Sequence, residues 1–231
     1  MYKVILQTTA DGSHTLFVPE LNEHYHSTNG AIQESGIVFI QNGLHYLPEC
    51  LNEINILEVG FGTGLNALLT VLFAKKQRRK INYVAVEPNP LEPELLVELN
   101  YPSLIGSTEA EGYFKKLHEA SWVYPAFLSD YFIISKIQAQ LEEIALRDEQ
   151  FHLVYFDAFG PEVQPELWTE QVFIQLYKCM KPDGILVTYS CKGIVKRALK
   201  AAGFIIEKLP GPVGKREVLR AVKRKGLGVG S

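Results

Sequence analysis

The sequence predicts an α/β fold. It reads as a Rossmann-like, mostly parallel seven-stranded sheet wrapped by helices, with an antiparallel last strand and an N-terminal β extension. Three observations carry this. From residue 54 onward, short apolar runs alternate with segments of helical spacing, the pattern of a parallel sheet covered on both faces and joined by right-handed crossovers. The first apolar run opens into a glycine loop and then a helix, where sheets of this kind hold ligands. The last two runs, FIIEKL and EVLRAVK, are joined by LPGPVGKR, too short for a crossover helix, so they must pair antiparallel.

In chain order, residues 1–50 read as a β-rich extension packed on the core. KVILQTT and HTLFVP flank the turn Ala10-Asp11-Gly12-Ser13, a hairpin signal. The polar stretch NEHYHSTNGAIQES and the apolar run GIVFI follow. Residues 51–231 form the main domain. NINILEVG is its first strand, LNALLTVLFAKKQ its first helix, and NYVAVEP its second strand, with a helix near PELLVELN. Residues 100–130, with Trp122, Tyr124, Pro125 and Phe127, resolve into no regular element and are expected to cover the site. YFIIS is the third strand, followed by an amphipathic helix over KIQAQLEEIALR. HLVYFDAF, a helix near PELWTEQVFIQLYKCM, GILVTYS and a helix through VKRALKAA lead to the final pair.

Composition bounds the function. With 47% hydrophobic and 21% charged residues in 231, the chain buries a full core. No apolar stretch approaches the roughly 20 residues of a membrane span, and MYKVILQTTADGS lacks a signal-peptide layout, so the cytoplasm is the expected compartment. The cysteines, Cys50, Cys179 and Cys191, lack CxxC spacing and indicate neither a disulfide framework nor a zinc site. A net charge of −3 argues against a generally basic nucleic-acid binder, but eleven of the 23 Lys and Arg lie in the last 40 residues. Glu207 and Glu217 alone oppose them there. Such an end attracts a polyanion, the alternative being a solvated surface with a basic tail.

The glycine loop reads Glu58-Val59-Gly60-Phe61-Gly62-Thr63-Gly64-Leu65-Asn66. A dinucleotide fingerprint needs GxGxxG, whereas these glycines fall as GxGxG with Leu65 at the third site. That favours S-adenosylmethionine (SAM) over a pyrophosphate, although small glycine clusters also serve tight packing. Glu87 ends the second strand at the interval where an acidic residue meets a ribose hydroxyl pair. Lys181-Pro182-Asp183-Gly184 fits a turn common before the fifth strand of SAM-dependent methyltransferases. Together these indicate a class I methyltransferase. Glu58 either orders the loop near the methionine amine or caps local backbone groups.

Asp157 ends the fourth strand at the topological switch point, and DAFGP is similar to the Asp-Pro-Pro-Tyr type of motif of amino-methyltransferases. An ammonium has no lone pair and must lose a proton before it takes a methyl group. A carboxylate at that place can attract the cation, accept the proton and aim the lone pair. Phe159 can stack on a planar base or meet a cationic centre. The plainer alternative makes Asp157 a helix cap or a lysine partner.

With its neighbours, this motif resembles the MnmD-type methyltransferases, the N-terminal half of bifunctional MnmC. Four blocks carry the likeness: NEHYHSTNGAIQESGIVFI, ILEVGFGTGLNALL, YFDAFGPEVQPELW and YSCKGIVKRALKAAGF…GPVGKRE. The resemblance implies methyl transfer from SAM to 5-aminomethyl-2-thiouridine at the tRNA wobble position, with no metal and no flavin. It implies catalysis by Asp157, and cofactor contacts from Glu58, Gly60, Gly62, Thr63, Gly64, Asn66, Glu87 and Asp157. It places Phe159, Gly160 and Pro161 at the substrate. Tyr25, His26, Ser27 and Asn29 match the N-terminal block that covers cofactor or base, and Lys215-Arg216-Glu217 matches a basic pair suited to RNA phosphate. Read without the family, His24 and His26 are turn or surface residues and Trp168 is core. Two departures stand out. The family's Gly-Asp after the third strand, which meets adenine, is replaced by Ile134-Ser135-Lys136. No second glycine fingerprint marks an oxidase half, so a stand-alone methyltransferase is expected.

Overall fold

The computed structural model of the chain describes residues 2–224. The N-terminal strands β1 (Ile5–Thr8), β2 (His14–Val18) and β3 (Glu23–His24) form a separate antiparallel sheet in the order β1-β2-β3. Asp11 organises the turn between the first two. Its Oδ1 accepts from Thr9 Oγ1 at 2.7 Å and from Ser13 N at 3.0 Å, and its Oδ2 accepts from Gln33 N at 3.0 Å. That last bond satisfies an early N–H of α1 (Ala31–Ser35), whose N-cap Gly30 offers no side chain. A π-helical segment, Gly36–Gln41, continues α1 and buries Val38 and Phe39.

The main sheet has eight strands. β4 (Glu53–Val59), β5 (Lys80–Val86), β7 (Phe132–Ile137), β8 (Phe151–Phe156) and β9 (Met180–Thr188) are parallel, and β11 (Glu217–Val222) runs antiparallel between β9 and β10 (Ile205–Pro210), which points the same way as β9. The order is β10-β11-β9-β8-β4-β5-β7-β6. The eighth strand, β6 (Ala126–Ser129), is added to the expected seven as an antiparallel, bulged edge beside β7.

Alternation along the strands divides the core. Ile56, Tyr83, Tyr155 and Ile185 pack under α2 (Leu65–Gln77), α5 (Ala110–Glu119) and the N-terminal segment, with Leu16 and Phe39 in the same cluster. Leu57, Val154, Phe156 and Leu186 face the other way, onto Trp168, Phe173 of α6 (Glu170–Cys179) and Leu199 of α7 (Gly193–Ala201). Strands buried on both faces explain why these segments read as continuous apolar runs.

Two expectations need correction. Residues 100–130 do not lie irregularly over the site. After α3 (Pro93–Leu96) they form α4 (Tyr101–Ile105), α5 and β6, and α5 is the β5-to-β7 crossover. No helix spans KIQAQLEEIALR. β7 runs on through Lys136-Ile137 and only one 3-10 turn follows, Leu141–Glu143. Ile137, Leu141, Ile144 and Leu146 all pack on the second core cluster, reaching it from the end of β7, the 3-10 turn and the loop beyond, so their spacing mimics a helix. Among the described residues, no helix is long and apolar enough to cross a membrane.

Candidate active site

The site grows from the ends of β4, β5 and β8. Val59 O accepts from Asp157 N at 2.9 Å, and Gly60 N donates to Val86 O at 3.0 Å, so the three strand ends are stitched together. Gly60 has φ +89°, and a Cβ there would stand 2.5 Å from the carbonyl oxygen of Asp157. Only glycine allows the loop to pass that close to the next strand. Glu87 fixes the loop from the other side: its Oε2 accepts from Gly62 N at 3.0 Å and its Oε1 from Asn89 N at 2.9 Å. Burial raises its pKa, and the two amides oppose that.

Above these strand ends lies a cavity of about 600 Å³. Gly60, Gly62, Glu87, Asp157, Phe159, Gly160, Pro161, Tyr25 and Lys215 all line it. Asp157 Oδ2 accepts from Asn66 Nδ2 at 2.8 Å, while burial, with the Glu34 charge adding to it, pushes the carboxyl up to about 7. The turn after it is held by side-chain hydrogen bonds to its backbone. Tyr189 Oη donates to Ala158 O at 2.9 Å, Trp168 Nε1 donates to Phe159 O at 2.8 Å, and Phe159 N donates to Gln164 Oε1 at 3.0 Å. The Phe159 ring meets Tyr25 edge-to-face, centroids 5.0 Å apart. Trp168 is therefore core, and its indole N–H positions the turn.

Of the other residues singled out in the sequence, Glu58, Thr63, Gly64, Asn66, Asn29 and Arg216 lie off the cavity lining, whereas His24, Ser27, His26 and Lys215 are on it. Glu58 is fully buried beside Tyr83 and Asn66, and burial raises its pKa well above its ordinary value. Thr63 and Asn66 are buried at the start of α2, and Gly64 packs on His118. Asn29 hydrogen-bonds Ser27 Oγ through its backbone N–H at 3.2 Å, and Arg216 is exposed. His24 Nε2 lies 2.9 Å from Gln7 Oε1, a structural bond. His26 does line the cavity, and burial lowers its pKa to about 4, so it is neutral. Lys215 forms an ion pair with Glu34.

Several cavity residues escaped the sequence reading. Glu34, Gln140, Leu141, Tyr189, Ser190 and Lys192 are among them. Gln140 and Leu141 correct the expectation at the third strand. Its end is Ile137, two residues later than Ser135, and the loop beyond it supplies the cavity rim. Lys136 is buried instead, its Nζ donating to Leu117 O at 2.9 Å and lying 4.5 Å from the Trp122 ring centroid.

Residues 125–224 match the family Methyltransf_30, S-adenosyl-L-methionine-dependent methyltransferase. The chain is 28% identical over 231 residues to the tRNA 5-methylaminomethyl-2-thiouridine biosynthesis bifunctional protein MnmC of Magnetococcus marinus, covering 92% of this chain and 33% of that protein. The same-named protein of Aromatoleum aromaticum is 31% identical over 215 residues, covering 89% and 33%. The chain thus spans about a third of the length of the curated relatives it matches. MnmC2 from Aquifex aeolicus superposes with a TM-score of 0.77 at 24% identity, over 96% of this chain and 70% of that one. A probable spermidine synthase from Corynebacterium glutamicum gives 0.52 at 14%, over 99% and 79%. Sheet order and these likenesses make the fold that of a class I SAM-dependent methyltransferase.

Proposed function

We infer that this chain, which carries a Methyltransf_30 SAM-dependent methyltransferase domain homologous to the methyltransferase part of MnmC, methylates an amine on tRNA. The substrate is the exocyclic amine of 5-aminomethyl-2-thiouridine at the wobble position, and the product is 5-methylaminomethyl-2-thiouridine. One observation carries the reading to an amine: a buried carboxylate of raised proton affinity, Asp157, stands one strand from the glycine loop in a cavity of about 600 Å³.

The residues present fit SAM. Gly60 leaves no room for a Cβ, so backbone lies where a ligand approaches, and Glu87 sits at the next strand end for a ribose hydroxyl pair. Gly62 lines the same wall, and Gln140 and Leu141 stand at the edge where adenine would lie. When bound, SAM supplies an electrophilic methyl group on a sulfonium. Glu58, Thr63, Gly64 and Asn66 support the loop from behind rather than touch the ligand. Asn66 also holds the Asp157 carboxylate in one orientation.

Asp157 attracts the substrate ammonium and accepts one N–H proton on a carboxylate oxygen, which leaves the nitrogen lone pair free to take the methyl group. Tyr25, Phe159, Gly160 and Pro161 form the walls against which the base stacks, after it is splayed from the anticodon loop. Residues 1–50 act as a cover, bringing Tyr25 and His26 over the glycine loop. Arg216, exposed beside Lys215, is suited to a phosphate.

Transfer of labelled methyl from SAM into tRNA lacking this modification tests the reading, with nucleoside mass spectrometry to locate the label. Label is expected in the wobble nucleoside. Incorporation into protein or small amines, with none in tRNA, would overturn it.

A further inference from the structure

Glu34 is only 5% exposed and 123 positions from Asp157 in sequence, yet both line the same cavity. Its carboxylate is fixed at one oxygen, Oε1, which accepts from Ser27 N at 3.0 Å. The other, Oε2, holds the ammonium of Lys215. That ammonium also lies 4.1 Å from the centroid of the Tyr189 ring. The Tyr189 hydroxyl donates to Ala158 O, the residue next to Asp157. A buried carboxylate and an aromatic face are the two elements of an alkylammonium site. Here the chain's own alkylammonium fills it. Two buried cavity groups, His26 Nδ1 and Ser190 Oγ, meanwhile have no hydrogen-bond partner.

We propose that Glu34 and Tyr189 form the recognition site for the substrate's ammonium, and that Lys215 is a stand-in cation which the aminomethyl group displaces. The inference rests on the amine-methylation reading and deepens it. Glu34 binds the cation and Asp157 receives its proton, so two carboxylates have two tasks. Lys215, released from Glu34, is long enough to turn toward solvent. Neutral substituents at the same uridine position gain nothing from displacing Lys215, so the arrangement selects the amine.

The test compares two anticodon stem-loop RNAs, one with 5-aminomethyluridine and one with the neutral 5-hydroxymethyluridine at the wobble position. Dissociation constants are measured with S-adenosylhomocysteine present. The ratio of the two cancels every phosphate contact and reads the ammonium alone. Wild type is expected to favour the aminomethyl RNA. Glu34→Gln should reduce that preference by about tenfold, the worth of one charge-assisted bond. Lys215→Met should raise it about threefold or more, because the competitor is gone. A merely structural ion pair predicts the same sign for both variants, since each breaks it, and that result overturns the proposal. So does an unchanged ratio in either variant. S-adenosylhomocysteine affinity and thermal midpoint report folding, and should Glu34→Gln fail to fold, the direction seen with Lys215→Met decides alone. If wild type neither distinguishes the RNAs nor methylates the aminomethyl one, the functional reading itself has failed. Methylation by wild type with unmoved variants rejects only the role of Glu34.

Discussion

Asp157 is in conflict with its surroundings, and the conflict is measurable. In the unfolded chain the carboxyl ionises near pH 3.8, whereas burial in the fold holds its proton up to about pH 7. Between those values the unfolded chain has released a proton that the folded chain keeps, so this group lowers stability as pH rises across the window. Asp157→Asn retains an acceptor for Asn66 Nδ2 and removes the charge. Its stability relative to wild type should rise by about 2 kcal/mol at pH 8 and be unchanged below pH 4, read from urea unfolding at the two pH values. Activity should move the other way, with kcat falling about 100-fold or more and SAM affinity retained. In wild type, kcat/KM should climb with pH to a plateau above about 7. A flat profile would remove Asp157 as proton acceptor. Asp157, Gly60, Gly62 and Glu87 were visible in the sequence because each is a local anomaly at a strand end. Glu34 was not. It lies inside the block NGAIQES, and its meaning comes from Lys215, 181 residues away, a pairing that no local pattern encodes.

At the scale of elements, Arg220 joins the C-terminal hairpin to the N-terminal segment, as Lys215 does through Glu34. Arg220 of β11 donates from Nε to Glu207 Oε2 at 2.7 Å and from Nη1 to Asn42 O at 3.2 Å, and its guanidinium carbon lies 3.5 Å from the Tyr46 ring centroid. The planar fork and the stacking are specific to arginine. Arg220→Lys should therefore cost about 1–2 kcal/mol despite the kept charge, seen as a lower urea midpoint. Because stacking and a carbonyl bond are involved, the loss should persist in 1 M salt, and disappearance there would assign it to the ion pair alone. The strands of the parallel sheet were legible for a related reason: burial on both faces writes itself as uninterrupted apolar runs. The elements that misled are those whose apolar residues serve the core from irregular backbone. Ile137, Leu141 and Ile144 copy a helical period, while β6, short, bulged and next to Pro125, carries no strand period at all.

Over the whole molecule, the basic C-terminal end divides into cations used internally and cations that remain outward. Lys208 pairs with Glu217, Arg220 with Glu207, Lys215 with Glu34 and Lys192 with Glu162, while Lys223 Nζ donates to Met180 O at 2.6 Å. Lys225 lies outside the described residues. Arg197 and Lys200 on α7 are exposed and form no ion pair among the described residues. α7 starts directly after Lys192, which lines the cavity, so these two positions continue from its mouth along one helix. A negative protein with a positive track leading to its site favours a polyanion held at one place over binding across the whole surface. Arg197→Glu combined with Lys200→Glu should raise KM for tRNA about tenfold or more and leave KM for SAM unchanged. The slope of log affinity against log salt should become shallower by about two, one for each lost phosphate contact. If the double variant weakens SAM binding equally, the effect is on the fold. If tRNA affinity and slope are both unmoved, the RNA enters from another side, and the track on α7 serves only solubility.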